Sequence, residues 1–232
     1  MLSKRLEAVA AWVPQGARVA DIGCDHAYLP IALLTRGQAQ HAIGCDINAG
    51  PLAAARKNAA RAGCRPEDLE LRLADGLKGL APGEVDVVTI AGMGAGLMTE
   101  ILSASPEVVA ALSRIVVSPN VAPWLLRRWA VDHGFAVAEE GVVEDGGHYY
   151  EVFVLEPAEV PPAFDDAALY FGFSLPAQED AVTAAYFAER KASDARLLAA
   201  WEAVREKHPE VAERYARLSA LWQRWEAMQR CK

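Results

Sequence analysis

The chain has 232 residues, of which 53% are hydrophobic and 23% charged. That is ample apolar material for a packed core, which excludes a disordered or collagen-like chain. The formal net charge of −8 argues against a general polyanion binder, because affinity for nucleic acid rests on Lys and Arg against phosphates.

The length fits one domain with an appendage. Four cysteines, Cys24, Cys45, Cys64 and Cys231, form no CxxC pair or zinc-like Cys/His cluster. They read as buried thiols in a reducing cytosol, and no metal is expected. No apolar run reaches the ~18 residues of a membrane span. The basic start, Lys4-Arg5, is followed by no apolar signal region. A cytoplasmic location is expected.

Residues 19–23 read as a strand entering a glycine turn, followed by a helix over 29–34. A second strand spans 41–46, and an Ala-rich helix runs from Pro51 to about Ala62. A third strand covers 69–74. The β-branched run 85–91 predicts a fourth strand covered on both faces. A helix over 95–102, a fifth strand over 114–118 and a helix over 124–133 follow. Residues 135–143 and 149–155 predict a closing strand pair around the turn at 144–147. Strands alternating with helices imply an α/β, mostly parallel sheet with helices on both faces. The chain divides at about residue 155. Pro157, Pro161 and Pro162 mark a change of direction, and the sequence is helical from about Gln178. His208-Pro209 interrupts it. Leu197, Trp201 and Val204 before the break, and Val211, Tyr215, Leu218, Trp222 and Trp225 after it, recur at spacings of three and four. This predicts a coiled-coil helical hairpin over 156–232.

The strongest local signal is residues 20–27, ADIGCDHA. Gly23 permits close ligand approach at a strand end, before a helix N-terminus whose N–H groups are free. The pattern is not GxGxxG, which argues against a nicotinamide-dependent oxidoreductase. Asp21 and Asp25 repel phosphate and suit a cationic ligand such as S-adenosylmethionine. Asp46, with Ile47 beside it, ends the second strand, where an acid can hold ribose hydroxyls. Asp75-Gly76 ends the third, where a carboxylate can read an adenine amine. Ala91, Gly92, Met93 and Gly94 form a loop of mostly small residues that lets cofactor and target base meet. Asn120, in Ser118-Pro119-Asn120, offers a donor and an acceptor to a base edge. Capped helices and an ordinary turn would explain each of these singly.

Taken together, ADIGCDHAYLP (20–30), GCDINAGPLAAARKN (44–58), LADGL (73–77), IAGMG (90–94), SPN with LLRRWA (118–130) and EDGGHYYEV (144–152) resemble the bacterial tRNA adenine(22)-N1 methyltransferase (TrmK) family. The resemblance covers residues 1–155. It implies a class I Rossmann-like methyltransferase domain with an antiparallel last strand and a C-terminal coiled-coil appendage. It also implies S-adenosyl-L-methionine as methyl donor and tRNA as substrate. The family usually carries Ser at Cys24, Gly at Ala95 and Gln at Ser118; the last departure leaves Asn120 as the better base reader. Cofactor contacts are expected from Asp21, Gly23, Asp25, His26, Asp46, Ile47, Asp75, Gly76, Ala91, Gly92, Met93 and Gly94. Asn120, His26 and Tyr28 are expected at the base, with Tyr149 as a second stacking candidate. Methylation of another RNA position, or a non-enzymatic RNA-binding protein with a degenerate nucleotide fold, are the alternatives.

The charge is uneven. Residues 188–232 carry ten basic against seven acidic residues, while 156–187 carry six acidic and none basic. The tRNA is therefore expected on Arg190, Lys191, Arg196, Arg205, Lys207, Arg214, Arg217 and Arg224, joined by Lys4, Arg5, Arg127 and Arg128. The protein is expected to be monomeric.

Overall fold

The computed structural model describes residues 2–160 and 164–230. The chain forms two compact units, Met1–Pro162 and Ala163–Lys232.

In the first unit seven strands form one sheet: β1 (Ala17–Ile22), β2 (Ala39–Asp46), β3 (Leu69–Leu73), β4 (Val87–Ala91), β5 (Arg114–Ser118), β6 (Phe135–Asp145) and β7 (His148–Pro157). Their order is β3-β2-β1-β4-β5-β7-β6. The first five pair in parallel, whereas β7 runs antiparallel to both β5 and β6. The last strand extends to Pro157, two residues past the expected end of the domain. The β6–β7 turn is only Gly146-Gly147, with φ +61 and +80. Two successive positive φ values match the twist of a tight hairpin, and glycine adopts them without a Cβ clash.

Six helices cover the sheet: α1 (Lys4–Ala11), α2 (Tyr28–Thr35), α3 (Ala49–Ala62), α4 (Ala95–Ser103), α5 (Pro106–Ala110) and α6 (Pro123–Asp132). Alternate strand residues feed two apolar layers. Val19, Val87, Val116 and Val154 pack with Val9 of α1 and Leu29 and Leu33 of α2. Ile22, Ile90, Val117 and Phe153 pack with Met98 and Leu102 of α4 and Leu126 and Trp129 of α6. Local signals set the helix ends. Ser3 caps α1 by accepting the Leu6 N–H at 3.3 Å, and Gly63 stops α3 with φ +75.

Neighbours β2 and β4 flank β1, and the chain leaves them in opposite directions across the sheet. The crevice at the carboxyl ends of β1 and β4 is thus a topological switch point, where open parallel sheets bind ligands.

The second unit holds α7 (Asp166–Phe171), α8 (Ala181–Glu202) and α9 (Pro209–Arg230). Asp180 caps α8, accepting the Val182 and Thr183 N–H groups at 3.0 and 2.9 Å. Phe171, Leu175, Phe187, Leu218, Leu221 and Trp222 are buried. The Phe171 ring lies 4.9 Å from Trp222 and 4.8 Å from Trp225. Asp194 accepts from the Tyr170 hydroxyl and Trp222 Nε1 at 2.8 and 3.0 Å. This corrects the expected seam. Leu218 and Trp222 pack as predicted, but Leu197 and Val204 are 40% and 41% exposed. The apolar contacts gather around Phe171 of α7, a helix too short to be seen as a periodicity.

Candidate active site

Asp21 lies one residue before the end of β1, in register with Thr89 of β4. The Thr89 hydroxyl donates to Asp21 Oδ1 at 2.8 Å. Burial pushes the Asp21 carboxyl up to about 6, the Thr89 bond opposes this, and the nearby Asp46 charge adds to it. Asp46, the last residue of β2, is also buried. It accepts the Asp25 N–H at 3.1 Å and the Asn48 N–H at 2.8 Å. Neither carboxylate has a cationic partner among the described residues.

The loop between β1 and α2 is built around these acids. Gly23 and Cys24 donate their N–H groups to the Cys45 carbonyl at 2.9 and 3.0 Å. The N–H groups of Gly23 and Cys24 are therefore spent on β2, and α2, with the N-terminal donors expected here, starts only at Tyr28. Gly23 has φ +74, and a Cβ there would stand 2.8 Å from Met93 Cε. Asp25 and Ala27 hold φ +49 and +57 on either side of His26, a conformation non-glycine residues seldom adopt. His26 Nε2 lies 3.7 Å from Asp25 Oδ1, and its ring is 5.7 Å from that of the exposed Tyr28. The free thiols are passive: burial, then Asp21 and Asp46, drive Cys24 upward, and burial drives Cys45 to about 11. Both are neutral at pH 7.

A cavity of about 350 Å³ opens here, lined by Asp21, Gly23, Cys24, Asp25, His26, Tyr28, Leu29, Ala91 and Gly92, with Arg5 and Leu6 of α1. Seven expected site residues thus share one cavity. Asp46 touches it through Asp25, and Met93 through Gly23. Asn120 joins at its edge, donating Nδ2–H to the Gly92 carbonyl at 2.7 Å. The Asn120 N–H meets the Met93 carbonyl at 2.9 Å, and Gly94 opens α4. Ile47 is 67% exposed beside Asp46. Asp75 and Gly76 lie at the end of β3, where Asp75 pairs with Lys78 at 2.5 Å. The Ser118 hydroxyl is buried without a hydrogen-bond partner.

Two buried carboxylates with no counter-ion, beside a loop that excludes a Cβ, fit a ligand bearing positive charge and approaching the backbone closely. They do not fit a phosphate. No cluster able to hold a metal occurs among the described residues.

Residues 2–153 match the model of a methyltransferase domain family. The chain is 37% identical, over 74% of its own length and 71% of the relative's, to the tRNA (adenine(22)-N(1))-methyltransferase of Bacillus subtilis. This chain belongs to the tRNA (adenine(22)-N1)-methyltransferase family. Two solved structures agree with that membership. Streptococcus pneumoniae Sp1610 in complex with S-adenosyl-L-methionine superposes with TM-score 0.82 at 33% identity, covering 95% of this chain and 99% of that one. M. capricolum TrmK in complex with S-adenosyl-homocysteine does so with TM-score 0.84 at 26% identity, covering 97% and 98%.

Two basic residues of this family member sit elsewhere than expected. Arg127 of α6 is fully buried, paired with Glu140 at 2.9 Å and with Glu151. It cannot reach a tRNA phosphate; it ties α6 to β6 and β7. Arg5 lines the cavity and donates Nη1–H to Asn120 Oδ1 at 2.8 Å. Nothing in local sequence marks Arg5 for this place, because α1 reaches the pocket only through the tertiary fold.

Proposed function

We propose that this protein transfers a methyl group from S-adenosyl-L-methionine to N1 of adenine 22 in tRNA. Family membership supports the reaction. The observation that carries the donor is the pair of uncompensated carboxylates, Asp21 and Asp46, at the switch point.

When bound, the donor supplies an electrophilic methyl on a sulfonium. Asp46 holds the ribose hydroxyls, Ile47 offers an apolar face to the adenine ring, and Asp75 reads its amine. Gly76 lets the chain turn there. Asp21 and Asp25 face the cationic methionyl end. Gly23, Ala91, Gly92, Met93 and Gly94 let the two reactants meet without an intervening side chain. Neutral adenine N1 carries a lone pair, so no proton need leave before attack. The N1–methyl bond forms as the sulfur–methyl bond breaks; sulfur takes that electron pair and the base becomes cationic. The residues' task is alignment and exclusion of water, with acceptors facing the growing charge. Pairing or stacking hides N1, so the base must be extruded and held by its edge. Asn120 reads that edge, and His26 and Tyr28 flank it.

For the tRNA backbone, Arg196 and Arg214 are exposed on α8 and α9. Lys191, Arg205, Arg217 and Arg224 already face Glu226, Glu202, Asp166 and Asp165 within 3.5 Å. Lys4 faces Glu144, and Arg190 stacks over Tyr170 at 4.0 Å. Arg196, Lys207 and Arg214 are therefore the first phosphate contacts, with Arg128 a further one. No described helix is long and apolar enough to cross a membrane. A monomer in the cytoplasm, where tRNA is modified, completes the reading.

The test is methyl transfer to unmodified tRNA transcripts carrying A or G at position 22, followed by nucleoside mass spectrometry. Label appears as 1-methyladenosine in the A22 transcript alone; equal labelling of both would overturn the position.

A further inference from the structure

Among the described residues lining the cavity, Arg5 is the one arginine or lysine, set opposite the acids Asp21 and Asp25. A contact from far along the chain puts it there. The Lys4 ammonium meets Glu144 at 2.7 Å, and the Arg5 N–H meets Asp145 Oδ2 at 3.1 Å. Both acids precede the Gly146-Gly147 turn, and Glu144 is itself held by the Gly147 N–H at 3.0 Å. The Arg5 guanidinium then lies over the Tyr150 ring, 4.5 Å from its centroid. A Cβ on Gly92 would stand 3.3 Å from Arg5 Nη2, so the bare glycine leaves the guanidinium its place. The acidic hairpin end thus acts as a clasp on the first turn of α1.

The clasped guanidinium fixes the amide of Asn120. Arg5 can only donate, so the atom facing it must be Oδ1; the Gly92 carbonyl can only accept, so the atom facing it must be Nδ2. Turning the amide over would set donor against donor and acceptor against acceptor. One Oδ1 lone pair and one Nδ2 hydrogen remain for a substrate. Resting on the reading above, in which Asn120 meets the target base, we infer that Arg5 is a positioning residue that makes Asn120 selective for adenine. Adenine presents an amine next to its lone-pair N1, whereas guanine presents a carbonyl next to N1–H. A locked Oδ1 accepts from the amine and repels a carbonyl set at the same point. The remaining Nδ2–H can meet that carbonyl only if the base moves off its line with the methyl. An amide free to turn would satisfy either edge. The Arg5 charge, which would oppose the cation forming on the base, is met in part by Asp145 and the Tyr150 face.

The test uses Arg5→Lys and Arg5→Leu in the full chain, each alone and combined with Asn120→Ala. The readouts are kcat and KM with the A22 transcript, Kd for S-adenosylmethionine, and competition between A22 and G22 transcripts. Arg5→Leu should lower kcat about 10- to 100-fold through misalignment, and Arg5→Lys, which keeps a side chain that can only donate, should lower it less. Donor Kd should stay within about two-fold, which also certifies folding, and the A22 preference in competition should shrink. In the Asn120→Ala background the Arg5 substitution should add no further loss, because residues acting through one another are not additive. Additive losses, or a donor Kd weakened about ten-fold with kcat retained, would overturn the assignment; the latter would make Arg5 a donor contact, since one such contact is worth about 1.4 kcal/mol. If the wild-type chain leaves A22 unlabelled, the methyl-transfer reading fails instead.

Discussion

Burial holds the Asp21 carboxyl up at about 6, far above an ordinary carboxylate. Between about pH 4 and 6 the free protein therefore keeps a proton there that the unfolded chain would release. The stability tied to this group is full below about pH 4 and is lost as pH rises through about 6, amounting to about 3 kcal/mol. A bound cation reverses the preference. Asp21→Asn should therefore raise the melting temperature by several degrees at pH 8 and by little at pH 4. The same variant should lose donor affinity at least about 100-fold. Wild-type affinity should climb between pH 5 and 7. Thermal melts and calorimetric titration at each pH check both; unchanged melting at pH 8 with retained affinity would contradict the account. Residue-scale chemistry was partly legible. Asp21 and Asp46 announce themselves at strand ends. Arg5 does not, because its role depends on a clasp 140 residues away along the chain.

Arg127 shows how elements are joined. One guanidinium from α6 lies between Glu140 of β6 and Glu151 of β7, with side-chain exposures of 0%, 2% and 3%. It also stacks over Phe153, 5.0 Å from the centroid. Arg127→Met would remove the guanidinium that two buried carboxylates share, at a cost of about 3–5 kcal/mol. Replacing all three, as Arg127→Met, Glu140→Leu and Glu151→Leu, should recover most of that loss. Urea denaturation of the four proteins decides it; a single variant as stable as wild type would show that the buried pairs carry no weight. The β-branched run of β4 and the Ala-rich α3 are legible because burial on two faces, or on one helical stripe, leaves a long pattern. By contrast α5, with five residues, and α7, with six, are shorter than two helical turns. No periodicity can reveal them, and α7 proves to centre the packing of its unit. Arg127 and Arg128 are adjacent in sequence, yet α6 buries the first and leaves the second half-exposed.

At the scale of the molecule, the proposed grip on tRNA asks an acidic chain to confine its available cations to a small part of its surface. Four basic side chains of the second unit, Lys191, Arg205, Arg217 and Arg224, face carboxylates; Arg196 and Arg214, like Lys207, are exposed without one among the described residues. Replacing both by Ala should weaken tRNA binding and reduce the slope of log affinity against log salt by about 1 to 2, while donor affinity is unchanged. A filter-binding salt series measures this, and an unchanged slope would remove these residues from the interface. The net charge alone speaks against such an interface, and only the uneven distribution along the sequence motivates it. The sheet's outer strands bear on a different risk. On one side β6 pairs only with β7; its ladder slips between Val137 and Glu139, where Ala138 and Glu139 are exposed. On the other, β3 is five residues long and carries Glu70 and Arg72. Bulged, short and charged edges are poor templates for a strand from another molecule. Both edges of the sheet are thus built against pairing with a strand of another molecule.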